Sequence, residues 1–391
     1  MIAKHWFTRR NFLRLGLGTI ATSHWLLNDQ LSPAQTPSLL EPVAHVELPQ
    51  VIADGDPLHA AGMWARGTLA AVPAFSLVHL VEFSDIKNPQ VVTIDLNGIA
   101  GDCRDVDFYE NYLICGLIEA RDNRRVLIYD VSDWKNPKLV STVRSTDYST
   151  VHSVFVAGKV CFLPTIGSRP GELYMLDLSD PTNPGSLGAV RFLDRAMINV
   201  HDVTVIGNRL YVAAWTAGIW VVDFENLDNP KKLSYKFVAQ HIYKADPPKS
   251  DEPFRLTPRC HNVWPSPDGK LLFTTDEVKG EFVRVFDISN LSDIKLASWY
   301  GLGPESIPHN AVVDGPYVYI AYYAHGVRVI EYSNPKEPKE VAVFDPYKGE
   351  SRFAHGYDGF WDVYPFGKYV LSSDQRGGLW ILEKRGILAG K

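Results

Sequence analysis

The sequence predicts an all-β protein: a seven-bladed β-propeller of four-stranded antiparallel blades, with the last blade closed by an N-terminal strand. Three observations predict it. The stretch Val200 to Pro230, VHDVTVIGNRLYVAAWTAGIWVVDFENLDNP, reads as three short strands joined by Gly/Asn turns, with a fourth strand following the proline. Its opening position recurs along the chain at His59, Arg104, His152, His201, His261, His309 and Trp361, in steps of 45, 48, 49, 60, 48 and 52 residues. A period near that length, with four strands per unit, is the spacing of propeller blades. Finally, the seventh unit ends at LWILEKRG with no room for a fourth strand, while Glu41 to Ile52 (EPVAHVELPQVI) is a strand without a unit. Placing that strand in the last blade shuts the ring and removes an exposed sheet edge.

Taken in order, the chain begins with an address. Arg9-Arg10 precedes Asn11, the apolar pair Phe12-Leu13 and Arg14, and a moderately apolar run follows from Leu15 to Leu27. This resembles the twin-arginine export signal of bacteria, and Ser32-Pro33-Ala34 supplies a small-x-small cleavage site. The expectation is a signal peptide over residues 1–34, no transmembrane domain once it is cleaved, and a periplasmic or extracellular propeller over residues 41–388. The resemblance also implies export in the folded state. The one long step, between His201 and His261, is assigned to a surface insertion over residues 239–258, rich in Pro, Lys and Asp.

Within each unit the third strand leads into a polar turn before the fourth, as in FSDIKNPQVV, VSDWKNPKLV, LSDPTNPGSL and YSNPKEPKEV. The aspartates at the end of the third strand (Asp130, Asp177, Asp223 and Asp287) can cap that turn. The proline is tolerated because the strand it opens is an edge strand. These repeats resemble the LVIVD-repeat β-propellers of bacterial surface and exported proteins. The resemblance reads most closely in AHGVRVIEYSNPKEPKEVAVFD and GFWDVYPFGKYVLSSDQRGGLWIL. It implies the fold far more than an activity.

Composition narrows the function. Net charge is -6 with no basic block in the body of the chain, which argues against nucleic-acid binding. The four cysteines (Cys103, Cys115, Cys161 and Cys260) form no CxxC and are too scattered for a disulfide framework. Small buried residues are the simplest reading of Cys103 and Cys260, beside the repeat openings. No nucleophile elbow, phosphate-binding loop or dinucleotide fingerprint is present.

The hub carries the chemical signal. The first strand of each propeller blade lines the central channel, so the seven repeat openings should meet at one mouth. Five are histidines, of only 12 in the chain. The residues after them (Asp105, Ser153, Asp202, Asn262, Asn310 and Asp362) could orient an imidazole or cap a turn. Loops between second and third strands should add Glu119, Trp215, Asp276, Glu277, Tyr323, His325, Asp374 and Arg376.

Imidazoles and carboxylates converging in a cavity are what a divalent transition metal such as Zn, Cu, Fe or Mn requires. The expected ligands are His152, His201, His261 and His309, with Asp276 or Glu277. His59, Arg104, Trp215, Tyr323, His325, Trp361, Asp374 and Arg376 are expected around a small-molecule mouth. Metal-dependent oxidation or hydrolysis would then be open, as in other propellers with hub histidines. The competing expectation is a non-catalytic scaffold for a protein partner, with one structural histidine per blade. In WD40 propellers the repeated histidine stands a few residues earlier and pairs with an aspartate; here it abuts the strand. Trp64, Trp220, Trp264, Trp299 and Trp380 are expected to pack between blades.

Overall fold

The computed structural model describes residues 39–53, 56–97, 101–118, 120–166, 171–192, 199–243 and 259–389. The signal-like segment and Glu119 lie outside them.

Seven four-stranded sheets form the propeller. Blade 1 is built from Trp64–Arg66, Leu69–Ala74, Leu77–Glu82 and Gln90–Asp95, innermost strand first. Blade 2 comprises Asp102–Tyr109, Tyr112–Ile118, Arg124–Asp130 and Lys138–Arg144. Blade 3 comprises Phe155–Ala157, Val160–Leu163, Glu172–Asp177 and Gly185–Arg191. Blade 4 comprises Asp202–Ile206, Arg209–Ala213, Ile219–Glu225 and Ser234–His241, and blade 5 comprises Cys260–Pro265, Leu271–Asp276, Val283–Asp287 and Lys295–Tyr300. Blade 6 is Ala311–Asp314, Tyr317–Ala321, Val327–Glu331 and Lys339–Phe344.

Blade 7 takes Phe360–Phe366, Tyr369–Asp374 and Gly378–Lys384 from the end of the chain and Leu40–Glu47 from its beginning. The pairing runs antiparallel from Leu40↔Lys384 to Glu47↔Gly378, with a shift in register beside Pro42. A proline is admissible there because this is an edge strand. The closing strand is shorter than Glu41 to Ile52. Val51–Ala53 instead pairs with Asp56–Leu58 in a separate hairpin beyond Pro49.

The hydrophobic core is divided among the seams. Middle strands are buried along nearly their whole length, as in Leu69–Ala74, whereas outer strands such as Gln90–Asp95 are largely exposed. Each middle strand is covered on both faces by neighbouring blades, which explains its unbroken apolar run. Seven apolar clusters follow, one per seam: Leu117 with Leu80 between blades 2 and 1, for example, and Leu379 with Val72 between blades 7 and 1. Cys103 and Cys260 turn away from the hub into these seams, and all four cysteines are buried free thiols. Trp220 packs in the seam between blades 3 and 4, as expected, but Trp299 is exposed.

Turn capping follows the sequence in three of four cases. Asp130, Asp177 and Asp287 accept the backbone N–H two residues on. Asp223 instead holds Arg209 through two hydrogen bonds of 2.6 and 2.9 Å. The expected insertion begins later than Ala239, because Ala239 to His241 complete the outer strand of blade 4. Residues 244–258 lie outside the described set. No helix among the described residues is long and apolar enough to cross a membrane.

Candidate functional site at the hub

The inner strands deliver their side chains to the hub through an irregularity. In blades 2, 5 and 7 the sheet register skips one residue at Arg104, His261 and Trp361. A bulge of this kind leaves one residue out of the ladder and re-aims its side chain. The ring residue and the next one both line the central cavity as a result, followed by the residue three positions on. Three tiers form.

The upper tier is the histidine arc. His152 and His201 have ring centroids 4.1 Å apart, His201 and His261 4.3 Å, and His261 and His309 4.2 Å. Trp361 continues the arc 4.6 Å from His309, and Arg104 flanks its other end in the cavity wall. Blade 1 departs from the expectation. The backbone hydrogen bond that marks the ring position joins His152 to Pro164, His201 to Ala213 and His309 to Ala321; in blade 1 it joins Ala61 to Pro73. His59 lies two residues too early. Its Nδ1 contacts the carbonyl of Leu48 at 2.6 Å, and it does not line the cavity.

The middle tier is a polar belt. Asp105 accepts the backbone N–H groups of Val106 and, in the next blade, Val154. Asp202 accepts from Val203, Ser153 and Asn262; Asn262 accepts from Ala311, and Asp362 from Val363 and Met63. These residues stitch blade to blade and cap strands, and they do not orient the imidazoles. Gly62 takes this position in blade 1. A Cβ there would stand 2.6 Å from the carbonyl oxygen of Arg104, to which Gly62 donates its N–H.

The lower tier closes the channel with aromatics. Trp64 lies 4.8 Å from Tyr364, 6.1 Å from Phe155 and 6.4 Å from Trp264, between ring centroids. These tryptophans floor the hub and also pack against the seam clusters as expected, Trp64 between blades 1 and 2 and Trp264 between blades 5 and 6. The signal was in the repeat: each sits three residues after a ring position, Ala61 or His261.

Loops between second and third strands cover the mouth. Trp215 stacks on His201 at 4.8 Å, and Tyr323 meets His309 edge-on at 4.9 Å. Phe75, Trp215 and Tyr323 all have left-handed backbones, with φ of 60°, 49° and 43°. Bulky residues adopt this conformation only when their surroundings enforce it. Each bridges to the first strand of the following blade.

Glu277 completes the constellation. Its Oε1 accepts the Tyr323 hydroxyl at 2.6 Å, while its Oε2 lies 3.6 Å from His261 Nε2; His309 Nε2 lies 3.8 Å from Oε1. One ligand atom each from His201, His261 and Glu277 lie within 4.8 Å of one another. His152 and His309 extend the arc on either side of these residues.

The other expected contributors go elsewhere. Asp276 is turned to the opposite face of its strand, where it is ion-paired with buried Arg284 and accepts from Tyr243. His325 packs beside Tyr322 and Gly349. Asp374 accepts from Trp380 and Tyr347, and Arg376 pairs with Asp358 at 2.8 Å. Those three belong to the loops around blades 6 and 7, away from the cavity wall.

Electrostatics keep the imidazoles neutral. Burial holds His152 down at about 4, aided by the Arg104 charge and opposed by the carbonyl of His201. Burial likewise holds His309 at about 3, opposed by the Trp361 carbonyl. His201 and His261 are well below the usual histidine range, through burial and then repulsion from neighbouring ring histidines. Burial raises Glu277 to about 7, against the hydroxyl of Tyr323 and the charge of Arg104.

The His309 Nδ1 sits 2.5 Å from the Trp361 carbonyl oxygen, which assigns the ring proton to Nδ1 and leaves Nε2 as a lone pair toward Glu277. The Nδ1 atoms of His152, His201 and His261 are buried without a hydrogen bond of good geometry. They nonetheless lie near enough to the next ring carbonyl for it to favour their protonated forms. Imidazole nitrogens facing the Glu277 carboxylate form a donor set suited to a cation.

Fold and site together define a seven-bladed β-propeller with a histidine-lined, one-ended hub. The LVIVD repeat is matched at residues 199–236 and 309–345. Each matched segment contains a ring histidine, His201 of blade 4 or His309 of blade 6, and reaches the outer strand of the same blade. Blade 7 is outside the matched residues. No curated protein matches the chain.

Proposed function

We propose that the hub binds one divalent transition-metal ion (Zn, Cu, Fe or Mn) through His201, His261 and Glu277, with His309 and His152 alongside. The exported protein would use this ion in oxidation or hydrolysis of a small molecule. The observation that carries the reading is the convergence of three ligand atoms within 4.8 Å. Its support is chemical: buried neutral imidazoles are poor proton acceptors but good metal donors, and a cation relieves the burial of Glu277. Tyr323 would orient Glu277 through the hydrogen bond its hydroxyl donates to Oε1. Three faces of the ion would be protein-bound, leaving room for water or substrate, as catalytic sites require. Export rests on the Arg9-Arg10 signal and agrees with the LVIVD likeness.

The test is elemental analysis of protein purified without chelator, then metal titration of the stripped protein. The expected result is about one equivalent of metal, lost in His201→Ala and His261→Ala while the fold persists. A wild-type protein that neither retains nor takes up any of the four metals would instead make the arc a structural ring and the propeller a binding scaffold.

A further inference from the structure

We infer that Arg284 positions the hub carboxylate: its guanidinium ties Asp276 to Glu281 across the base of the loop that carries Glu277, and so fixes Glu277 opposite His261. The inference rests on the metal reading above and adds to it a residue that acts through the loop rather than on the ion.

Blade 5 departs from its neighbours at this loop. In blades 4 and 6 the turn between second and third strands is closed by a backbone hydrogen bond between residues four apart. These bonds join Ala214 to Gly218 at 2.8 Å and Tyr322 to Gly326 at 2.9 Å. The next residue in each turn, Trp215 or Tyr323, has the left-handed backbone and bridges to the following blade. In blade 5 the corresponding bond joins Asp276 to Phe282, six residues apart, at 3.2 Å. Glu277 therefore stands where the other turns carry an aromatic, in a loop longer by two residues (six against four). A longer loop has more freedom to lose on ordering, and the carboxylate that faces the histidines sits at its start.

Arg284 supplies the missing constraint. It is 1% exposed, and its guanidinium is ion-paired with Asp276 and, at 3.0 Å, with Glu281. Those carboxylates stand at the start and the end of the loop, so one rigid fork spans its base. The guanidinium carbon lies 5.2 Å from the centroid of Tyr243 and 5.7 Å from that of Phe282, whose faces seat it. Asp276 extends the clamp to the next strand. Its Oδ1 accepts the N–H of Arg259 at 2.6 Å, and the Arg259 carbonyl accepts the N–H of Glu277 at 3.3 Å. Arg259 leads directly into Cys260 and His261. The group that closes the loop thus also fastens it to the strand bearing the facing imidazole. The loop tip and the carboxylate are held separately, by Gly280 donating to the Ser306 carbonyl at 2.7 Å and by the Tyr323 hydroxyl.

Stability alone does not account for the clamp. Burying ions costs solvation, and apolar groups of similar size often serve a fold equally well or better. Blade 6 shows another use of the same position. Arg328 is paired opposite Ile320 as Arg284 is opposite Thr274. Its side chain donates to the His325 carbonyl, reaches out to Glu340 and Asp345, and is 14% exposed. The arginine is drawn in between two loop carboxylates in blade 5, where the loop delivers Glu277 to the arc.

The experiment is a double-mutant cycle on metal affinity. Calorimetry on the stripped protein tests zinc(II), copper(II), iron(II) and manganese(II) and continues with the tightest binder. One arm neutralises the clamp as a whole (Asp276→Asn, Glu281→Gln, Arg284→Gln), so that no unpaired ion is left buried; the other is Glu277→Gln. The clamp variant should bind metal about tenfold more weakly than wild type. In the Glu277→Gln background the same substitutions should change affinity less than about twofold, because no carboxylate remains to be held. A clamp that served only the fold would lower the melting temperature and leave the cycle additive. Arg328→Gln, the control, should keep metal affinity within a few-fold. Circular dichroism checks folding, and Arg284→Lys, which keeps the charge without the fork, replaces the clamp variant if that variant does not fold. Unchanged affinity in the clamp variant, or equal losses in both backgrounds, overturns the inference and leaves the metal site standing. Failure of the wild type to take up any of the four metals overturns the metal reading, and this inference with it.

Discussion

The two arcs of the hub share a backbone and differ in chemistry. From blade 3 to blade 6 the ring is His152, His201, His261 and His309, with Glu277 above; from blade 7 to blade 2 it is Trp361, Ala61 and Arg104. The inter-strand hydrogen bond at Ala61 repeats that at His201, so the geometry that aims a side chain inward is common to both. The ring scaffold is thus indifferent to what it carries. One arc concentrates neutral donors, and the other supplies an aromatic wall and a cation. The difference teaches that the repeat sets where chemistry occurs, while single substitutions within it decide which chemistry.

The largest effect should separate the arcs outright. His261→Ala should weaken metal binding by a factor on the order of a hundred, whereas Trp361→Phe, at an equivalent ring position, should leave it within a few-fold. Calorimetric metal titration of both proteins decides this; equal losses would mean that the arcs are not distinct. Next in size is Tyr323→Phe. Removing the 2.6 Å hydrogen bond to Glu277 should lower metal affinity about tenfold. An unchanged affinity would make Tyr323 a packing residue only.

A smaller effect concerns pH. The folded pKa of His309, about 3, lies below its ordinary 6.5, so the unfolded chain takes up this proton first as pH falls. The corresponding stability is present above about pH 6.5 and is lost progressively toward about pH 3. Glu277 and Asp362, raised to about 7, act in the opposite sense. They remain in both proteins of the comparison. Metal-free His309→Gln should therefore lose less melting temperature than the parent between about pH 7 and about pH 5. Parallel curves would remove His309 from the account. The smallest effect is at His59, outside the ring: His59→Ala should leave metal content unchanged.

Legibility followed the same division. Repetition made the blade count readable, because His152, His201, His261 and His309 each precede a short alternating strand. It failed in blade 1, where a nearby His59 drew the alignment two residues away from Ala61. The carboxylates show a finer limit. Asp276 and Glu277 are neighbours, and successive residues of an extended chain point to opposite sides. Sequence alone could not say which faced the ring, and Arg284 takes the one that does not. Trp64 and Trp264 were legible as seam residues, but their place in the floor was not: Trp264 stands beyond a bulge that shifts strict alternation, and Trp64 follows the ring position that His59 displaced. His325, Asp374 and Arg376 were placed by loop membership alone. Their partners, among them Asp358 and Tyr347, come from a long connection whose path no local pattern encodes.

The shared construction of blade 7 has a consequence for biogenesis. Leu40 pairs with Lys384, so one of the first strands to be made waits for one of the last. During synthesis, blades 1 to 6 can assemble in succession, each on its predecessor, while residues 40–47 have no sheet to join. The ring can close only after the ribosome has delivered residues 378–384, which makes closure a late, long-range step. On the proposed twin-arginine route, which carries folded passengers, that step is a checkpoint: a chain cut short within the final strand would remain an open arc, with both terminal edges unpaired.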